Sequence, residues 1–132
     1  MMRLDGFGIF VKDMPSMVNF YKDALGFEIK EDANTSNVRL EKDGTLFILR
    51  RRSNFERTSH NDAISFTRGV DRQNTIVLSV PNHLSVDKSY ADVIRNGAIP
   101  IMPPTNTQNG RRVCYISDPE GNLIEISSQN YI

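Results

Sequence analysis

Asp118-Pro119-Glu120-Gly121-Asn122-Leu123-Ile124-Glu125-Ile126 joins a turn to a strand. Asp-Pro opens the turn, and Gly121 supplies the backbone freedom to close it. Leu123, Ile124 and Ile126 then make Asn122–Ser127 a run of β type. Just before the turn, Arg112–Ser117 reads as the strand that pairs with it. Further back, Pro103–Gly110 reads as a loop and Ala98–Met102 as a strand. Gly97 stops a helix with apolar Val86, Tyr90, Val93 and Ile94, capped by Ser85. Thr75–Val80 is the strand that leads into it. The order is β-α-β-β-β.

The same order occurs earlier in the chain. Phe7–Val11 is a strand, and Asp13 caps a helix over 14–25 whose apolar face is Met14, Met17, Val18, Tyr21 and Leu25. Gly26 stops it. Phe27–Ile29, Asn37–Glu41 and Thr45–Arg50 are strands, with Lys42-Asp43-Gly44 as a hairpin turn. A shift of 69 pairs Val11 with Val80, Ser16 with Ser85, Tyr21 with Tyr90 and Asp23 with Asp92. A shift of 77 pairs Gly44 with Gly121, so an insertion of 8 residues is expected, placed in the Pro103–Gly110 loop. The repeat predicts one domain over 1–132, made of a first βαβββ module (1–52), a polar linker (53–73) and a second module (74–132).

Composition narrows the function classes. The chain has 132 residues, with 16 Lys+Arg against 16 Asp+Glu. A zero balance argues against a nucleic-acid binder, which needs a basic excess to displace counterions. It argues equally against a polybasic membrane-surface protein. No stretch approaches the roughly 18 apolar residues of a membrane span. The single cysteine, Cys114, excludes an intrachain disulfide and suits a reducing compartment. Cys114 reads as a small buried hydrophobe. A cytoplasmic location is expected. The chain has no phosphate-binding glycine loop, nucleophile elbow or structural zinc spacing.

Two motifs carry a family resemblance. Phe20-Tyr21-Lys22-Asp23-Ala24-Leu25-Gly26-Phe27 is similar to the Phe-Tyr…Leu-Gly-Phe helix end of the vicinal oxygen chelate superfamily. That group holds the glyoxalases, bleomycin resistance proteins and extradiol dioxygenases. Asp118–Ile126 resembles its Asp-Pro-x-Gly-Asn-x-x-Glu ending, and the duplicated module resembles its architecture. The resemblance implies an α+β fold in which two tandem βαβββ modules form a curved mixed sheet around a ligand cleft. The helices would lie on the outer face, and a homodimer is common in the family.

The family's metal ligands lie on the first and last strands of each module. The matching positions here are Gly6, Ile48, Thr75 and Glu125. Only Glu125 is a strong donor, whereas a catalytic metal normally takes about three protein ligands. His60 falls in the linker and His83 at the entry to the second helix, and both read as solvated. No metal site and no cofactor are therefore expected.

Strand alternation assigns the cleft lining. Gly6, Gly8 and Phe10 face inward, and Phe7, Ile9 and Val11 face the helices. Leu46, Ile48 and Arg50 face inward, as do Thr75, Val77 and Ser79. If Glu125 faces inward, so do Leu123 and Ser127. The resemblance implies that Tyr115, similar in position to the family's inner aromatic, and Val113 beside it face inward too, and the face taken by Val38 and Arg39 stays ambiguous. Phe10, Ile48, Arg50, Thr75, Tyr115 and Glu125 are the candidate ligand-binding residues. Glu125 has three open readings: an ion pair with Arg50, a general base, or an acceptor that anchors the ligand. Arg50-Arg51-Arg52 is either a solvated strand end or a cationic rim, which Phe55 and Phe66 could cover. The resulting expectation is a metal-independent binder of a small apolar or aromatic ligand, with room for an anionic end. The alternatives are a lyase, isomerase or dioxygenase-like enzyme, metal-dependent or using Glu125 as base, and a purely structural domain.

Overall fold

The computed structural model describes residues 1–31, 37–52 and 71–131. The chain divides into two compact units, Met1–Thr67 and Arg68–Ile132. The first contains β1 (Gly6–Val11), α1 (Met14–Asn19), a π-helical turn (Phe20–Ala24), β2 (Glu28–Glu31), β3 (Asn37–Lys42) and β4 (Thr45–Arg51). The second contains β5 (Asp71–Ser79), α2 (His83–Arg95), β6 (Ile99–Asn106), β7 (Arg112–Ser117) and β8 (Asn122–Ser128). Each unit folds its strands into one four-stranded sheet, ordered β1-β4-β3-β2 and β5-β8-β7-β6. The first strand runs parallel to the last, and the other pairings are antiparallel. The fold is α+β with tandem βαβββ modules, as the repeat predicts.

In the first unit one face of the sheet is closed by aromatic packing. Tyr21 is 0% exposed, with ring centroids 5.4 Å from Phe20, 5.4 Å from Phe27 and 5.0 Å from Phe47. The Phe-Tyr…Gly-Phe motif is thus a core cluster. It also explains why the expected α-helix over 14–25 is α-helical only to Asn19. Phe20 and Tyr21 are adjacent, yet both are buried. The wider π turn, with Phe27 N–H donating to the Tyr21 carbonyl at 2.9 Å, keeps both rings on the sheet side. Asp13 caps α1 as expected, accepting from the Ser16 N–H at 3.2 Å. Asp43 and Gly44 have φ of 51° and 81°, the left-handed pair that a two-residue hairpin turn needs. Val38 and Leu40 are buried and Arg39 is exposed, which settles the face of β3. Phe7 departs from its expected place in the helix layer and is 61% exposed, at the start of an edge strand.

In the second unit Ile124 and Ile126 of β8 pack with Cys114 and Ile116 of β7, all at most 2% exposed. α2 is tied over them by Arg112, which donates to both oxygens of Asp87 at 2.9 and 2.8 Å. The cap of α2 is Asn82, one turn before the expected Ser85. Its Oδ1 accepts from the Ser85 N–H and hydroxyl, both at 2.9 Å. Ser85 satisfies the cap instead of providing it.

β6 runs on to Asn106, through Pro103 and Pro104, where a loop is expected. It is the edge strand and carries two register irregularities, so a missing proline N–H removes no ladder bond from a central strand. The extra length of the second module is therefore spread out. Helix starts are offset by 69 (Met14, His83) and the glycines that follow by 71 (Gly26, Gly97). The third strands are offset by 75 (Asn37, Arg112) and the fourth by 77 (Thr45, Asn122). Helix, hairpin and final turn each absorb part of the 8-residue difference between the offsets. β5 begins at Asp71, within the expected linker. His60, Phe55 and Phe66 lie outside the described residues.

Candidate functional site

The final turn sets the register of β8. Asp118 is 0% exposed, and its Oδ1 accepts from the N–H groups of Glu120 (2.9 Å) and Asn122 (3.0 Å). Its Oδ2 accepts from the Asn122 amide at 2.7 Å. Gly121, at φ 92°, completes the turn. Held this way, β8 buries Ile124 and Ile126 against the helix side and turns Leu123 and Glu125, both half-buried, to the opposite face, which they share with the buried Ser127.

Glu125 sits in the middle of a row that crosses the sheet. Val77 of β5 lies opposite it on one side and Tyr115 of β7 on the other, with Met102 of β6 beyond Tyr115. The Glu125 side chain is 13% exposed. Tyr115 donates its hydroxyl to Oε1 at 2.8 Å, and Arg111 donates Nη2 to Oε2 at 3.1 Å. The hydrogen bond to the Glu125 carboxylate, together with burial, raises the Tyr115 pKa, because both disfavour a second negative charge. Around this polar centre Val77 is 62% exposed and Leu123 half-buried. Thr75 and Ser79 are exposed on the same edge strand. The face is a fixed carboxylate–guanidinium–phenol group set among apolar side chains.

Within its own module the partner of Glu125 is Arg111. Arg111 and Met102 escaped the reading of the sequence. Arg111 precedes β7 by one residue, but it shares the parity of Val113 and Tyr115. That alternation was the available signal.

In the first unit, Phe10 pairs in register with Arg50, and Gly8 with Ile48. Phe10 and Ile48 are half-buried and Arg50 is exposed. Gly6 lies against Leu46 so closely that an added Cβ would stand 2.5 Å from the Leu46 carbonyl oxygen and 2.8 Å from its Cβ.

His83, expected to be solvated, is 8% exposed. Its Nε2 lies 3.1 Å from the Gly110 carbonyl oxygen, and its ring packs 4.9 Å from that of Tyr131. Its backbone N–H donates to the Asn130 carbonyl at 2.9 Å. The helix entry is covered by the C-terminal segment and the β6–β7 turn, which a reading of the isolated helix could not show.

The family model of the Glyoxalase/Bleomycin resistance protein/Dioxygenase superfamily matches residues 3–126. The chain belongs to this superfamily. Solved structures agree with the fold. A hypothetical protein from S. aureus is 25% identical with a TM-score of 0.81, covering 97% of this chain and 94% of that one. A glyoxalase/bleomycin resistance protein/dioxygenase family enzyme from Burkholderia phytofirmans is 23% identical with a TM-score of 0.81, covering 93% and 96%. A lactoylglutathione lyase from Agrobacterium tumefaciens is 20% identical with a TM-score of 0.71, covering 93% and 91%. Among curated proteins, none matches the sequence.

The glyoxalase-superfamily metal chemistry can be tested on the residues present. Gly6, Ile48 and Thr75 supply neither imidazole nor carboxylate, and Glu125 already has a guanidinium on one oxygen and a phenol on the other. Gly6 is more than a missing ligand, because the Leu46 backbone occupies the space where a side chain would begin. Among the described residues no three His, Cys, Asp or Glu side chains come together in a metal-holding group. This donor set does not fit a divalent ion. Among the described residues, no helix is long and apolar enough to cross a membrane.

Proposed function

We propose that this superfamily member binds a small apolar or aromatic molecule on the open face of its second sheet, with no resident divalent metal. The observation that carries the reading is the Tyr115–Glu125–Arg111 group, held by two hydrogen bonds among Val77, Val113 and Leu123. Apolar walls with a few fixed polar groups are the usual make-up of a small-molecule site. A carboxylate or phenolate end on the ligand would meet Arg111, which gives a single N–H to Glu125. Thr75 would supply a further hydroxyl. In the first module Phe10, Ile48 and Arg50 occupy the corresponding open face and are proposed to contribute apolar contact and charge. A homodimer in the cytoplasm is part of the same proposal.

Catalysis by Glu125 as a general base has less support. Tyr115 and Arg111 already use lone pairs on both of its oxygens.

The test is a thermal-shift screen of chelator-treated protein against aromatic carboxylic acids and phenols. Stabilisation that persists in chelator and is lost in Arg111→Gln supports the proposal. Stabilisation that appears only on adding Mn²⁺, Ni²⁺ or Zn²⁺ overturns it.

A further inference from the structure

The site group depends on where Arg111 stands, and Arg111 is not part of the sheet ladder. It follows the turn at the tip of the β6–β7 hairpin, where Thr107 N–H donates to the Arg111 carbonyl at 2.8 Å and Gly110 N–H to the Thr107 carbonyl at 3.2 Å. The Thr107 hydroxyl oxygen accepts from the Arg111 N–H at 3.1 Å. These bonds shape the turn internally. They do not fix it to the rest of the unit.

Arg112, the next residue after Arg111, is held by the sheet and by Asp87 of α2, and a second anchor reaches the turn itself from the helix side. His83 opens α2, and its Nε2 reaches the Gly110 carbonyl across 27 residues of sequence, at 3.1 Å. A carbonyl only accepts, so Nε2 carries the proton. The ring is wedged in place by Tyr131, and the His83 backbone is bonded to Asn130. The next residue after Gly110 is the one that grips Glu125.

We infer that His83 is a positioning residue for the site. Its Nε2–H bond to Gly110 holds the hairpin tip where the Arg111 guanidinium meets Glu125. The inference rests on the proposed role of the Tyr115–Glu125–Arg111 group. The geometry it describes can nevertheless be tested without any ligand.

Tyr115 is the reporter. Its hydroxyl is bonded to Glu125, and the nearby Arg111 charge acts on it in the opposite sense, favouring the phenolate. Moving Arg111 away therefore raises the pH at which Tyr115 ionises. The experiment follows the ¹³Cζ resonance of Tyr115 against pH in the wild-type chain and in His83→Phe, His83→Gln and Arg111→Gln. Phe keeps an aromatic ring against Tyr131 but has no donor. Gln keeps an N–H donor of similar reach.

The expected result is an upward shift of the Tyr115 midpoint in His83→Phe, in the same direction as in Arg111→Gln. His83→Gln should restore the wild-type midpoint. The double variant His83→Phe/Arg111→Gln should shift no further than Arg111→Gln alone, because both act through one contact. If His83→Phe lowers stability but leaves the Tyr115 midpoint where it was, the residue is only structural and the inference fails. Failure of the ligand screen with a shifted midpoint would sink the proposed function while leaving the latch standing.

Discussion

Gly6→Ala is expected to destabilise the first module, and the structure sets the size of the effect. The added methyl would stand 2.5 Å from the Leu46 carbonyl oxygen and 2.8 Å from the Leu46 Cβ. An ordinary close carbon–oxygen approach is roughly 3.3 Å, so β1 must move by about 0.8 Å or the Leu46 backbone must give. Overpacking of this kind costs about 1–3 kcal/mol. Replacing glycine in a strand returns roughly 0.5–1 kcal/mol through the unfolded chain. At the middle of both ranges the net loss is about 1.3 kcal/mol. With a urea m-value of about 2 kcal/mol per molar, the midpoint should fall by roughly 0.5–1 M. Gly8→Ala is the control, since its Cβ meets the Ile48 carbonyl oxygen at 3.2 Å and asks for a much smaller adjustment. Urea denaturation followed by circular dichroism measures both. Equal midpoints for Gly6→Ala and wild type would refute the steric reading of position 6. That reading is also the reason why a histidine at position 6 should fail to rebuild a metal ligand.

Other perturbations have defined outcomes. Asp118→Ala removes a fully buried acceptor of three hydrogen bonds and should cost on the order of 3 kcal/mol in the same denaturation assay. Arg112 bonded to Asp87 lowers the Asp87 pKa below 3.8, so its contribution is present above that value and is lost as pH falls through the lower folded value. The stability gap between wild type and Asp87→Asn should therefore close as pH drops below 3.8, and a pH-independent gap would contradict the sign. Burial pushes the Cys114 thiol up to about 11, so iodoacetamide at pH near 8 should label it only after unfolding, as read by mass spectrometry.

The repeat was legible because each strand and helix stop is marked by local chemistry. Asp13, Gly26, Asp43-Gly44 and Asp118–Gly121 all do in the structure what their residue types predict. Ends decided by neighbours were not legible. The π turn at Phe20–Ala24 answers to the core it packs on, and the length of β6 depends on its being an edge. The site was half readable. Alternation placed Tyr115 and Glu125 on one face, and in register they are direct partners. Arg111 was lost because the expected strand began one residue later. His83 was misjudged because its cover comes from Gly110 and Tyr131, far from it in sequence. Residues brought together by topology leave no local trace.

Calorimetric titration of chelator-stripped protein with Zn²⁺, Ni²⁺ and Mn²⁺ tests metal independence most directly. The expected result is no one-equivalent binding tighter than about 10⁻⁴ M, since one engaged carboxylate cannot hold a divalent ion. A tight one-to-one isotherm that disappears in Glu125→Gln would contradict it.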